Sequence, residues 1–222
     1  MHTEHKTTAD VILPESPACP LNVVLGGTPL LGRLTGIGRY TYELASALVA
    51  SQIVDDLKLW GDVSFLDAGM LKRGDPTSEG PAGLADKKNR GRSGSLAVSA
   101  RAFASRSYYA SIVYQYVSGA MAERRLRPLA DSHLYHSPNF IMPHFDGARV
   151  ITIHDLSTIR FPQFHRKQMV VLCEGGINSA IEGKAHVITD SFHVRDELVN
   201  DFGVESSRIS TVHLAPDPRC RP

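Results

Sequence analysis

The sequence predicts an α/β fold: a Rossmann-like parallel sheet with helices on both faces. Three observations carry this. Short apolar runs such as "LNVVLGG", "ARVITIHD" and "AHVITDS" have strand length and no polar alternation, the pattern of strands buried on both faces. Helix-length segments separate these runs, which a parallel sheet needs for its crossovers. Three successive runs end in polar residues, at His136, His154 and Asp190, where a parallel sheet would gather them on one edge.

Taken in order, residues 1–20 are rich in Pro, Thr and charge and read as a tail. Leu21 to Gly27 is a central strand closed by glycines. Tyr40, Leu44, Ala47 and Leu48 recur at helical spacing, which places a helix from about Gly38 to Gln52. "DLKLWGDVSFL" supplies a second strand. Residues 69–95 are dense in Gly, Pro, Lys and Arg without period and read as a mobile basic loop. A helical segment then runs to Pro128, with Arg124, Arg125 and Arg127 at the end where cations suit the helix dipole.

"SHLYHS" and "ARVITIHD" are strands, and "FHRKQMVVLCEGGINSAIEGK" is a helix weakened by Gly175 and Gly176. "AHVITDS" is a strand, "SFHVRDELVNDFG" a helix with Ser191 as N-cap and Gly203 as its stop, and "RISTVHLAPD" a last strand. The division is thus a tail at 1–20, one α/β domain at 21–215 and the start of a linker at 216–222.

Composition narrows the function. A length of 222 residues with 42% hydrophobic residues supports a sizeable core. A formal net charge of +1 does not suggest a whole-protein nucleic-acid binder. Cys19, Cys173 and Cys220 lie far apart with no zinc-ligand spacing, so they read as reduced thiols of a cytosolic protein, Cys173 on a helix. The start has no signal-peptide pattern, and no apolar run approaches the roughly 18 residues of a membrane span. A cytoplasmic chain, at most peripheral to the inner face of a membrane, is expected. No GxSxG elbow, HExxH or Walker A pattern is present, and no metal site is expected.

The polar residues at the strand ends are the candidates for chemistry. In "GGTPLLGRLTGIGRYTYEL", Gly36 and Gly38 open a helix whose N-terminal amides and dipole favour an anion, with Arg33 and Arg39 adding charge. "GIGRYT" lacks the third glycine of the dinucleotide fingerprint, so an anion site and a plain loop both stay open. Histidine as a residue type can take either protonation state near neutral pH, which makes His154 a candidate, and Asp155 either caps the following turn or accepts a neighbouring N–H. His136 and Asn139 sit in "HSPNFIMP", and Ser191 follows Asp190.

Together, "TGIGRYTYEL", "HSPNF", "VITIHDLSTIRFPQFH", "HVITDSFHVRDEL" and "FGVESSRISTVHLAPDPRCRP" resemble the N-terminal domain of family 4 retaining glycosyltransferases of the GT-B fold. Mannosyltransferases of polysaccharide biosynthesis are among the nearest in pattern. The resemblance covers about Leu21 to Pro222, most weakly at 69–95. It implies two Rossmann-like domains facing a cleft, an acceptor held mainly by the N-terminal one and a nucleotide sugar mainly by the other. It implies that the Gly36–Gly38 turn approaches the donor diphosphate and that His154 reaches the transferred sugar by hydrogen bonding. Arg39, His136, Asn139, Asp155 and Ser191 then line the substrate side.

The resemblance further implies front-face transfer with retention, no cofactor and no required metal, and a GDP-sugar or UDP-sugar donor. The partners would be that donor, a glycan or lipid-linked acceptor and, if the sequence is one half of a split enzyme rather than a fragment or a degenerate paralogue, a separate C-terminal donor-domain chain, but no nucleic acid. The acidic motif and second domain of the family are not in this sequence, and Ala215-Pro216 stand where a glycine-containing turn is expected. Little transferase activity is therefore expected of the chain alone. A non-catalytic sugar- or nucleotide-binding module is the main alternative, and an NAD-dependent oxidoreductase domain a further one. The basic residues Lys72, Arg73, Lys87, Lys88, Arg90, Arg92, Arg101 and Arg106 also suggest contact with anionic lipid.

Overall fold

The computed structural model describes residues 20–31, 35–51, 53–72, 108–183 and 185–216. The tail call on 1–19, most of the basic loop, the linker call on 217–222 and all but Lys72 of the eight basic residues above lie outside the described residues. So do Arg33, Cys19 and Cys220.

Seven strands form one sheet: β1 (Leu21–Gly26), β2 (Val54–Gly61), β3 (Ser64–Leu66), β4 (Leu134–Ser137), β5 (Arg149–Ile153), β6 (His186–Thr189) and β7 (Ile209–Thr211). Their order is β3-β2-β1-β4-β5-β6-β7. Every neighbouring pair is parallel except β2 with β3. The fold is Rossmann-like α/β, as the alternation of apolar runs and helices predicts.

The helices are α1 (Gly36–Ala50), α2 (Tyr108–Leu126), the short α3 (Ser157–Arg160), α4 (Lys167–Glu182) and α5 (Phe192–Phe202). Strand register sorts the core. Leu25 pairs with Leu59 and His136, His136 with Val150, and Val150 with His186, so these side chains share one face. α1 packs there, closing Leu25, Leu30, Ala45 and Leu59 into one cluster. On the other face α2 covers Val24, Trp60 and Tyr135 through Ala122 and Leu126. α4 and α5 cover Ile151, Ile153 and Val187 through Cys173, Ile177, Val194 and Leu198.

The structure corrects one sequence reading. "DLKLWGDVSFL" is a hairpin of β2 and β3 rather than a single strand, with Leu59 opposite Leu66 and Gly61 opposite Ser64. Asp62 turns the chain at φ 55°. Aspartate tolerates this left-handed conformation better than most residues because its short side chain bonds locally. Residues 69–72, read as the start of the loop, belong to a 3-10 turn over Ala68–Lys72.

The helix ends follow the expected chemistry. Ser191 Oγ accepts the Val194 N–H at 3.3 Å, and Gly203 stops α5 at φ 65°. None of the described helices is long and apolar enough to cross a membrane.

Gly176 explains why α4 carries glycines. A Cβ there would lie 1.5 Å from the Phe140 carbonyl oxygen, so the helix packs directly on the loop after β4. Gly175 faces open space, where a Cβ would meet nothing within 4 Å. Gly176→Ala should therefore cost on the order of 3 kcal/mol as the helix and loop are forced apart. Gly175→Ala should stabilise by up to about 1 kcal/mol through helix propensity. Urea denaturation midpoints of the two variants check the contrast.

Candidate functional site

All strands except β3 run the same way, so the carboxyl ends of β1, β4, β5, β6 and β7 share one edge with the N-terminus of α1. At the centre of that edge is His154, one residue beyond β5. Its Nδ1 lies 2.6 Å from Asp190 Oδ2, beyond β6, and its Nε2 lies 3.1 Å from the Pro138 carbonyl, beyond β4. A carbonyl only accepts, so Nε2 carries a proton and donates it. The Nδ1 contact to the carboxylate on the other side of the ring fixes its orientation. Asp190 Oδ1 is buried and takes no hydrogen bond among the described residues, so the carboxylate depends on the imidazole for its partner.

The glycine turn reaches the same place. Thr35 caps α1, its Oγ1 accepting the Gly38 N–H at 3.3 Å, and a Cβ at Gly36 would meet nothing within 4 Å. The second turn of α1 carries Tyr40, whose ring meets the His154 ring edge-on at 4.7 Å between centroids. The imidazole and the helix N-terminus thus lie on a common rim, and the imidazole is bounded by polar and aromatic groups.

Beneath the rim runs a buried chain of polar groups. Tyr40 Oη is 3.1 Å from Thr152 Oγ1, which is 2.9 Å from His136 Nε2. Burial raises the Tyr40 phenol and lowers the His136 imidazole to about 4. A neutral ring, a hydroxyl and a phenol have enough donors and acceptors to satisfy one another without water.

The remaining candidates are placed as follows. His136 is 7% exposed and bonded inside the layer between sheet and α1, which gives it a packing position away from the rim surface. Asn139 Oδ1 accepts the Ile141 N–H at 3.1 Å and shapes the loop after β4. Asp155 is exposed, and its Oδ1 accepts the Ser157 N–H at 2.8 Å in the turn that leads into α3. Ser191 caps α5, and Arg39 pairs with Glu43 at 2.8 Å. Gly36, Gly38, Asn139, His154, Asp155 and Ser191 therefore share the edge, while His136 lies under it.

Sequence reasoning missed two partners. Tyr40 reads as an ordinary apolar position of an amphipathic helix, and the Pro138 carbonyl is backbone, which no residue type announces. Asp190 was visible as a strand-end acid, but its carboxylate's reach to His154 needs the β5–β6 register, Ile153 opposite Thr189.

A cavity of about 210 Å³ lies on the same edge. The ends of β1 and β2, the middle of α2 and the loop after β4 surround it, through Gly26, Trp60, Asp62, Gly119 and Asn139 among others.

With this geometry in view, the chain was compared with known proteins. No protein-family model matches it. It is 29% identical over 195 residues to the O-antigen chain mannosyltransferase B of Escherichia coli, an alignment covering 88% of this chain and 47% of that protein. The chain thus spans about half the length of the curated relative it matches.

The buried His136 generates a pH test. Burial disfavours the charged ring in the folded state, so the unfolded chain takes the proton first as the pH falls. Its stabilising contribution is complete above the unfolded value of 6.5 and is lost as the pH falls through that value toward about 4. That span corresponds to about 3 kcal/mol. Urea unfolding from pH 7 down to pH about 4 should show this loss. His136→Gln, which keeps a partner for Thr152 but does not titrate, should flatten the acid limb by a similar amount.

Proposed function

We propose that this chain is the acceptor-side half of a retaining family 4 glycosyltransferase of the GT-B fold. It would act in the transfer of mannose or another hexose from a nucleotide sugar to a glycan or lipid-linked acceptor. One observation carries the reading: His154, clamped by Asp190 and Pro138, stands against Tyr40 of the second turn of α1. Similarity to a named mannosyltransferase over most of the chain supports the substrate class.

In this reading the exposed first-turn amides of α1 at Gly36 and Ile37 face the donor diphosphate, favoured by the helix dipole. His154 donates its Nε2–H to an oxygen of the transferred sugar, giving up or sharing its bond to Pro138. Asp190 keeps the proton on the ring and fixes its direction, so the donor is oriented before the sugar arrives. The donor-binding half is supplied by a second domain, in the same polypeptide or another. A 3-10 turn, Thr28–Leu30, interrupts the segment between β1 and α1. That arrangement differs from the tight turn of a dinucleotide fingerprint and favours a nucleotide sugar over NAD.

Sugar transfer from GDP-mannose and from UDP-hexoses to a mannose-terminated lipid-linked acceptor tests the proposal. The chain is assayed alone and supplemented with the C-terminal half of the Escherichia coli relative. Supplementation should raise activity, and His154→Ala should then lower kcat by about 100-fold or more, as expected for a lost transition-state donor. Full activity in His154→Ala would remove the imidazole from the mechanism, and binding of donor and acceptor with no transfer in any combination would replace the enzyme with a binding module.

A specific surface supports membrane contact as a second feature. On α2, Val113, Tyr116, Val117 and Met121 project outward, with Tyr116 81% exposed, and Arg124 and Arg125 continue the same stripe. Co-sedimentation with phosphatidylglycerol vesicles should be seen at low salt, weaken at high salt and weaken again when both arginines are changed to glutamate. Equal behaviour with neutral phosphatidylcholine vesicles counts against it.

A further inference from the structure

We infer that Tyr40 is a positioning residue that sets the His154 imidazole against the amide end of α1. Its hydroxyl tethers α1 to β5, and its ring bounds the imidazole. That this spacing serves sugar transfer rests on the transferase reading above; the control of the imidazole by Tyr40 does not.

The two groups to be held together ride on elements that belong to different apolar clusters. α1 closes its cluster on Leu25 of β1 and Leu59 of β2. His154 follows β5, whose Ile151 and Ile153 pack on the opposite face of the sheet, two strands away from β1. Holding one against the other therefore takes a long side chain.

Tyr40 supplies it. The residue lies one helical turn after Gly36, and helix side chains lean toward the N-terminus, so its ring hangs over the first turn. Its hydroxyl ends 3.1 Å from Thr152 Oγ1, and Thr152 is two residues before His154 in the chain. Its ring meets the imidazole at 4.7 Å between centroids and 87° between planes. One side chain thus holds both the strand that carries the imidazole and the imidazole itself.

The ring contact adds a constraint that the two hydrogen bonds lack. Bonds at Nδ1 to Asp190 and at Nε2 to the Pro138 carbonyl resist rotation of the imidazole in its plane. They resist tilting about the line through the two nitrogens only weakly, because hydrogen-bond angles are broadly distributed. A perpendicular aromatic ring in contact blocks that tilt.

The hydroxyl is the part that packing does not require, since a leucine would satisfy the apolar period of α1. Burial, and to a lesser degree the Asp190 carboxylate, raise the Tyr40 phenol, so it stays a hydroxyl. Thr152 is fully buried and meets His136 Nε2 at 2.9 Å on its other side. Its single proton goes to one neighbour, and its oxygen accepts from the other. The tether is therefore saturated at Thr152 and has no room to re-form elsewhere.

Proton exchange at the His154 ring tests this in the full chain, by NMR with ¹⁵N-labelled histidine. The signal is assigned by its loss in His154→Ala. Tyr40→Phe keeps the ring and removes the tether, and should speed exchange of the His154 Nε2–H about tenfold. Thr152→Val should do the same without touching the ring, while Thr152→Ser, which keeps a hydroxyl, should match the unaltered chain. The backbone amides of Ile151 and Ile153 should keep their protection in all three, because only a general loosening of the fold would expose them. In the supplemented transfer assay, Tyr40→Phe should lower kcat about tenfold and leave KM for the acceptor unchanged. Unchanged His154 exchange in Tyr40→Phe or Thr152→Val, fast exchange in Thr152→Ser, or equal loss of protection at Ile151 and Ile153 overturns the positioning role. Faster His154 exchange with unchanged kcat overturns its part in transfer. No transfer in any combination of halves removes the transferase reading, and the exchange measurement still decides whether Tyr40 sets the imidazole.

Discussion

The rim depends on the clamp around one imidazole. His154 spans the ends of three strands, touching Asp190 beyond β6 and the Pro138 carbonyl beyond β4 from its own place beyond β5. Two acceptors on opposite sides leave the ring one orientation that satisfies both. Because the carboxylate is largely shielded and its second oxygen has no donor among the described residues, neither partner is easily replaced by water. Side chains from loops, which are ordinarily the most mobile part of such a fold, are thereby held as rigidly as the strands that carry them.

The clamp rests on a second, drier network. Tyr40 supports the imidazole edge-on and ties α1 to the sheet through Thr152, which in turn meets His136. The sequence presents His136 and His154 as two strand-end histidines of equal promise. Register separates them. His136 is the third of four residues in β4 and points into the α1 layer, whereas His154 lies beyond its strand, where the backbone is no longer bound to alternate faces. Burial keeps the first neutral, and polar partners fix the orientation of the second.

The edge carries two different environments. Around α1 the exposed amides favour negative charge. Among the described residues, the cavity beside it is lined by the Asp62 carboxylate together with polar and apolar side chains. The loop after β4 joins the two, and Gly176 lets α4 approach it closely enough to fix its path.

The sequence by itself determined the layered α/β fold, the order of its strands and helices and the caps of α5, because apolar run length, helical period and capping chemistry are local properties. It also marked the edge, since Gly36, His154, Asp190 and Asn139 all fall just past predicted strands or at a helix start. It did not show the β2–β3 hairpin, where the "GD" turn signal lies inside a continuous apolar run. Nor did it show that Asp62 lines a cavity or that Tyr40 and a backbone carbonyl hold the imidazole. Those facts depend on residues more than a hundred positions apart in some cases, as Tyr40 and Thr152 are, meeting across a register that only the assembled sheet sets. Local chemistry places a side chain at a strand end; the pairing of strands decides what it touches there.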